Sequence, residues 1–235
     1  MDAVKKQARV AGTLYLLMAV TAPLSLIYVP AQLFVAGDAA STAENIRGAE
    51  SLLRWGMASE LFHQAVEVYL VLALYLLFKP VSAHLARQMA WLGLIPIPIM
   101  FLNVLNEVAA LTLARGADFL ASFSPAQLDA LAMLFIQLHG NGQQVAAVFW
   151  GLWLFPLGLL IWRCGFIPRL VGVCVMASGV GYLVGSVASL LVPALQPLVG
   201  DLPLILGVGE PILILWLLVF GARAIQRPSL ATAVA

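Results

Sequence analysis

Apolar residues in this chain gather into long unbroken runs instead of alternating with polar ones. Six runs are long enough to cross a bilayer, at roughly 11–30, 53–78, 89–113, 141–163, 170–192 and 202–223; a spanning helix needs about 20 mostly apolar residues. In hydrocarbon only helices and closed barrels satisfy the backbone, and the runs lack the period-2 alternation of barrel strands. The pattern predicts an all-α polytopic membrane helical bundle. It has six transmembrane helices in a single integral membrane domain over 1–235.

Polar stretches between the runs carry their own signals. In GDAASTAENIRGAESLLRWG, Ser41 precedes Glu44 at capping-box spacing, which predicts a short helix leading to the second span. In FSPAQLDALAMLFIQLHG, Ser124 is suited to an N-cap, with Pro125 first and Gln127 third in the helix. This predicts a short outer amphipathic helix before the fourth span, entering it near Gly140-Asn141-Gly142; about 15 residues are too few for a seventh span. Gly181, Gly185 and Ser189 form a small-residue ridge on the fifth span for close helix approach. Pro96, Pro98, Pro156 and Pro211 predict kinks. The first run is too long for a signal-peptide core and lacks a cleavage site, so it reads as a retained span.

Composition agrees: 63% of residues are hydrophobic and 10% charged, against about 25% charged in soluble domains. Mean hydropathy is +1.00. A net charge of +1 gives no basis for a nucleic-acid partner. Position matters more. Of twelve Lys and Arg, nine (Lys5, Lys6, Arg9, Lys79, Arg87, Arg163, Arg169, Arg223, Arg227) fall on one side of the predicted spans. Arg47, Arg54 and Arg115 fall on the other. The positive-inside rule then predicts both termini in the cytoplasm and a multi-pass plasma-membrane protein. Cys164 and Cys174 suggest neither a disulfide framework nor a thiolate cluster.

The exceptions to apolarity are concentrated. The second span carries ELFHQAVE, with Glu60, His63, Gln64 and Glu67 within an arc of about 100° on one helical face. The third carries Asn103, Asn106 and Glu107, and the sixth Glu210; His139, Asn141, Gln143 and Gln144 stand at the mouth of the fourth. The predicted orientation puts nearly all of them in one band in the outer half of the bilayer. A charged group at mid-bilayer costs at least about 2.5–3.5 kcal/mol. These side chains must therefore face inward, pair, line water or stay protonated. Single residues can be satisfied locally, as His63 with Glu67 or Asn103 with Glu107 at i, i+4. So many costly groups at one depth point instead to a shared pocket.

Three chemistries fit such a pocket. Acid/base chemistry on a small amphipathic or lipid-like molecule would use Glu60 and Glu67, with His139 orienting or accepting a proton. His63, Gln64, Asn103, Glu107, Asn141, Gln144 and Glu210 would line it. A metal site would start from the Glu-x-x-His pair Glu60 and His63, with His139 as a second imidazole and Glu107, Glu67 or Glu210 as oxygen ligands. A proton-coupled conduit would use the intramembrane carboxylates, with Glu210-Pro211 breaking the sixth span. No motif names a cofactor. The implied partners are the lipid bilayer and a small amphipathic ligand.

ARVAGTLYLLMAV, GDAASTAENIRGAESLLRWGMASEL, LALYLLFKPVSAHLA and LHGNGQQVAAVFWGLWLFPLGLLIWRCGFIPRLVGV resemble the bacterial multi-pass membrane proteins grouped as domain of unknown function 4386. The resemblance covers nearly the whole chain and implies topology more than mechanism. Glu60, Glu67 and His139 match the pattern of that family. His63 and Glu107 lie outside it, which weakens the Glu60–His63 pair as a shared metal motif.

Overall fold

The computed structural model describes residues 2–222. Arg223 and Arg227, counted in the predicted charge asymmetry, and the C-terminus, predicted to be cytoplasmic, lie outside the described residues. Every regular element among the described residues is helical. Six helical segments are long and apolar enough to cross a membrane: Ala3–Leu33, Glu50–Phe78, Ala83–Arg115, Pro125–Cys164, Arg169–Leu190 and Leu202–Val219. The protein is an integral membrane helical bundle.

The first span is α1 (Asp2–Pro23), one π-helical turn (Leu24–Tyr28) and α2 (Val29–Leu33). The wide turn precedes Pro30, which has no N–H and whose ring would clash with the carbonyl four residues back. The Val29 N–H reaches to Leu24 O instead, an i→i−5 bond. Next comes α3 (Ala39–Gly48). Its N-cap is Asp38, not Ser41: the Asp38 carboxylate accepts from the Ser41 backbone N–H at 2.9 Å and from its hydroxyl at 2.6 Å. A carboxylate is the stronger acceptor and stands one residue before the helix, so it displaces the Ser41–Glu44 box. The Ser41 hydroxyl, then its N–H, hold the Asp38 carboxyl below its ordinary value.

The second span is α4 (Glu50–Phe78); the third is α5 (Ala83–Leu94) and α6 (Pro96–Arg115), bent at Ile95 ahead of Pro96. Gly116 ends α6 at φ 66°, a left-handed conformation suited to glycine. The fourth span is α7 (Pro125–Cys164), one continuous helix of 40 residues. Its start is as predicted. Ser124 and Gln127 form the reciprocal capping box, with Ser124 N–H donating to Gln127 Oε1 at 2.8 Å. The expected short amphipathic helix is the first part of this helix, not a separate element. Gly140 and Gly142 do not break it, because α6 packs alongside and Asn103 fills the space a side chain at Gly142 would need.

The fifth span is α8 (Arg169–Leu190). Gly151 and Gly158 of α7 meet Gly179 and Gly172 of α8; a Cβ on any of the four would lie 2.7–2.8 Å from the opposing glycine's carbonyl oxygen. Backbones thus touch directly, as small-residue seams allow in membranes. Gly181 and Gly185 of the predicted ridge likewise admit close approach, by Leu202, Pro203 and Leu206 of the sixth span. After α9 (Gln196–Val199), the sixth span is split into α10 (Leu202–Leu206) and α11 (Gly209–Val219) by a turn at Gly207-Val208.

Two apolar cores result. One joins α1, α4, α5, α7, α8 and α11 through residues such as Leu70, Leu74, Leu154 and Leu213. The other joins α2, α3, α4, α6 and α7 through residues such as Leu33, Ile46, Leu53 and Ile136. On α4 and α7 the polar residues of the site fall between these two cores. At the α3 end, Arg47 pairs with Asp129 at 2.9 Å, and Arg54 and Arg115 share Glu50 at 2.7 and 3.4 Å.

Candidate functional site

The polar band resolves into two groups about 10 Å apart along α4, the rise of seven helical residues. Glu60 leads to one and Glu67 to the other.

Glu60 of α4, Glu107 of α6 and His139 of α7 converge. They are 2%, 4% and 5% exposed, and one carboxylate or imidazole atom from each lies within 4.8 Å of the others. His139 is held on its far side. Its Nδ1 lies 3.3 Å from the Asn103 carbonyl, and Asn103 Nδ2 donates to the His139 carbonyl at 2.8 Å. Gly142 permits this clasp, since a Cβ there would sit 2.0 Å from Asn103 Oδ1. Asn106 steadies Asn103 with a 3.0 Å bond. His139 Nε2 faces Glu60 Oε2 at 3.4 Å and the Gln143 amide nitrogen at 3.0 Å. The Glu60 approach has ion-pair distance without hydrogen-bond geometry. Both Glu60 oxygens and Glu107 Oε2 have no hydrogen-bond partner among the described residues.

The second group surrounds a cavity of about 530 Å³ lined by α1, α4, α7, α8, α10 and α11. Glu210 accepts hydrogen bonds from the hydroxyls of Tyr15 and Tyr182. The break in the sixth span puts it there. Gly209 lies so close to α8 that a Cβ would stand 2.4 Å from the Cys174 carbonyl. Ser178 donates to the Leu206 carbonyl at 2.8 Å, satisfying an oxygen that the break sets free. Glu67 and His63 line the same cavity, with Glu67 Oε2 and His63 Nδ1 unpartnered. Trp153 and Trp150 wall it, packed on Tyr15 and Tyr182 with ring centroids 6.3 Å apart in each pair. Leu26, Val208 and Leu204, 41%, 52% and 81% exposed, form an apolar rim.

The structure brings Glu60, Asn103, Glu107 and His139 together on one level, and His63, Glu67 and Glu210 on the other. Glu60 and His63 do not converge, because the helix turns His63 towards α1 and the cavity. Gln64 is buried between the levels with an unpartnered Oε1. Asn141 is exposed and Gln144 half-buried, and neither lines the cavity. Sequence reasoning missed Tyr15 and Tyr182. A lone phenol inside an apolar run was the available signal, since a buried hydroxyl needs a partner.

The two groups differ in what they can do chemically. The first is closed and compact, with acceptors crowding one point. The second is an open amphipathic chamber with carboxyls at its base and aromatic walls.

No curated protein and no solved structure matches the chain. With its six spans and its buried Glu/His group in place, the chain belongs to the family described as Domain of unknown function (DUF4386), which it matches over residues 10–221.

Proposed function

We propose that the protein binds a small amphipathic molecule with a protonated amine head in the cavity beside Glu67, that Glu67 exchanges a proton with it, and that Glu210 orients it. One observation carries this reading. Two carboxyl groups, four aromatic rings and an apolar rim enclose one cavity of about 530 Å³ that no Lys or Arg among the described residues lines. Carboxylates and ring faces attract a cation, and the rim suits an alkyl or aryl tail entering sideways from lipid. Of the three residues expected to do acid/base work, Glu67 lines this cavity, whereas Glu60 and His139 belong to the other group. Glu210, held by two phenols, is the orienting carboxyl, and Glu67, with a free oxygen, is the exchanging one. The chain is set in a bacterial plasma membrane with both termini cytoplasmic, which the arginine and lysine distribution supports.

A direct test uses the tryptophan walls. Titrating a long-chain alkylammonium amphiphile that carries an N–H bond into the detergent-solubilised protein should quench fluorescence saturably. Glu67→Gln and Glu210→Gln should each weaken binding at least about tenfold with the melting profile retained. Equal binding of a neutral amphiphile with the same tail, or unchanged affinity in both variants, defeats the proposal.

The break at Gly207-Val208 beside Glu210 favours a second reading, a proton-coupled carrier of the same molecule. It predicts that a pH gradient drives uptake of the amphiphile into proteoliposomes. Binding without flux leaves the protein a binding protein or an acid/base enzyme.

A further inference from the structure

We propose that Glu60, Glu107 and His139 hold one divalent transition-metal ion, zinc foremost, at the junction of α4, α6 and α7. This site is separate from the cavity and does not depend on the function proposed for it.

Three observations converge. The first is geometric: three ligand atoms from three helices lie within 4.8 Å of one another, and their residues are almost fully buried. The second is the unmet demand of the acceptors. Both oxygens of Glu60 and one of Glu107 have no hydrogen-bond partner, although Glu60 is only 2% exposed. Burying such groups unpaired is among the costliest things a protein can do. The third is the orientation of His139. Its Nδ1 faces the Asn103 carbonyl, which accepts a hydrogen and so fixes the proton on Nδ1. The Nε2 lone pair then points at the Glu60 carboxylate 3.4 Å away. These two acceptor atoms repel one another unless a proton or a metal cation bridges them, and the Gln143 amide touches Nε2 from one side at 3.0 Å. A metal-binding histidine anchored by its other nitrogen to a carbonyl has this arrangement.

Charge selects the ion. Two ionised carboxylates and a neutral imidazole carry −2, and no Lys or Arg among the described residues takes part in the cluster. A divalent cation neutralises it. An imidazole with two carboxylates suits zinc, iron(II) or manganese(II) better than magnesium or calcium, which prefer oxygen alone. Gln143 is placed to complete the shell: its amide reaches His139 Nε2 at 3.0 Å, and turning the amide over presents its oxygen to the same point. Of the histidine and carboxylate suggested by the ELFH motif, Glu60 stays in this site and Glu107 takes the place of His63.

The test is metal content by elemental analysis of the full chain, purified without chelator. About one transition ion per chain is expected, falling at least about tenfold in Glu60→Gln, Glu107→Gln and His139→Ala. Glu67→Gln, in the cavity, should keep its metal. Chelator treatment should lower the melting temperature of the wild type, and zinc, but not magnesium, should restore it. Less than about a tenth of an ion per chain, with no melting response to zinc, overturns the proposal and leaves a proton shared among the three residues. Full metal content in Glu107→Gln and Glu60→Gln overturns it as well.

Discussion

Glu60 and Glu67 occupy nearly the same face of α4 and end in different surroundings. Glu60 meets side chains of α6 and α7, whereas Glu67 meets a cavity bounded by α1, α8 and the broken sixth span. Their substitutions should part accordingly. Glu67→Met replaces a carboxyl that lacks a partner at one oxygen with an apolar side chain of similar length. Removing such a group should stabilise the bundle by about 1–3 kcal/mol while abolishing amphiphile binding, a trade between stability and function read from paired melting and titration curves. Tyr15→Phe and Tyr182→Phe each remove one donor to Glu210. Each should cost about 1–2 kcal/mol in thermal or denaturant unfolding, and the double variant should depart from the sum of the two if the phenols act as one network. Additive losses in the double-mutant cycle would show that they act independently.

Elements decide where those side chains come to rest. The α7–α8 seam is fixed by glycine carbonyls 2.7–2.8 Å from where Cβ atoms would be, so neither helix can yield without backbone movement. Gly158→Val or Gly179→Val should destabilise the fold by about 3 kcal/mol or more, near the upper end of overpacking costs, and lower the yield of folded protein in detergent. Gly142→Ala is a more selective probe. Its Cβ displaces Asn103, frees the His139 ring and should cut metal affinity while leaving the α7–α8 seam intact. An unaltered metal content in that variant would disconnect Asn103 from the orientation of His139. At the α3 end, Asp38 has a carboxyl held below its ordinary value by the Ser41 hydroxyl and N–H. Its capping contribution is therefore present above the ordinary aspartate range and is lost as pH falls through the lowered value. Amide exchange in α3 should quicken on acidification through that window, and Asp38→Asn should flatten the response.

The whole molecule is taller than a bilayer is thick. Forty residues of α7 extend about 60 Å, whereas the hydrocarbon core is about 30 Å deep. The surplus is at the α3 end, where α3, the start of α7 and the end of α6 build a second apolar core closed by the Arg47–Asp129 pair. From Phe78, at the basic end of α4, Glu67 is about 17 Å along the helix and Glu60 about 27 Å. The cavity thus falls near mid-bilayer, and the Glu60–Glu107–His139 group near the opposite boundary, beneath the second core. If the termini are cytoplasmic, a cysteine introduced at Asp118 in a variant lacking Cys164 and Cys174 should react with an impermeant maleimide in intact cells. A cysteine at His84 should react only after lysis. The reverse pattern inverts the orientation and moves the mouth of any transport path to the other face.

The sequence alone determined the membrane class, the six spans, the Ser124 cap and the isolation of a few carboxyls in hydrocarbon. Each of these is a local property, set by run length, hydropathy or a four-residue signal. Tertiary structure decided which of those carboxyls meet. A seven-residue step along one helix cannot reveal that Glu60 faces α6 and α7 while Glu67 faces α1 and α11, because the neighbours are fixed by glycine seams and helix breaks remote in the chain. The same holds for α7. Its amphipathic start reads as a surface helix on its own, and only α3 and α6, packed along it, carry it straight through Gly140 and Gly142 as one helix.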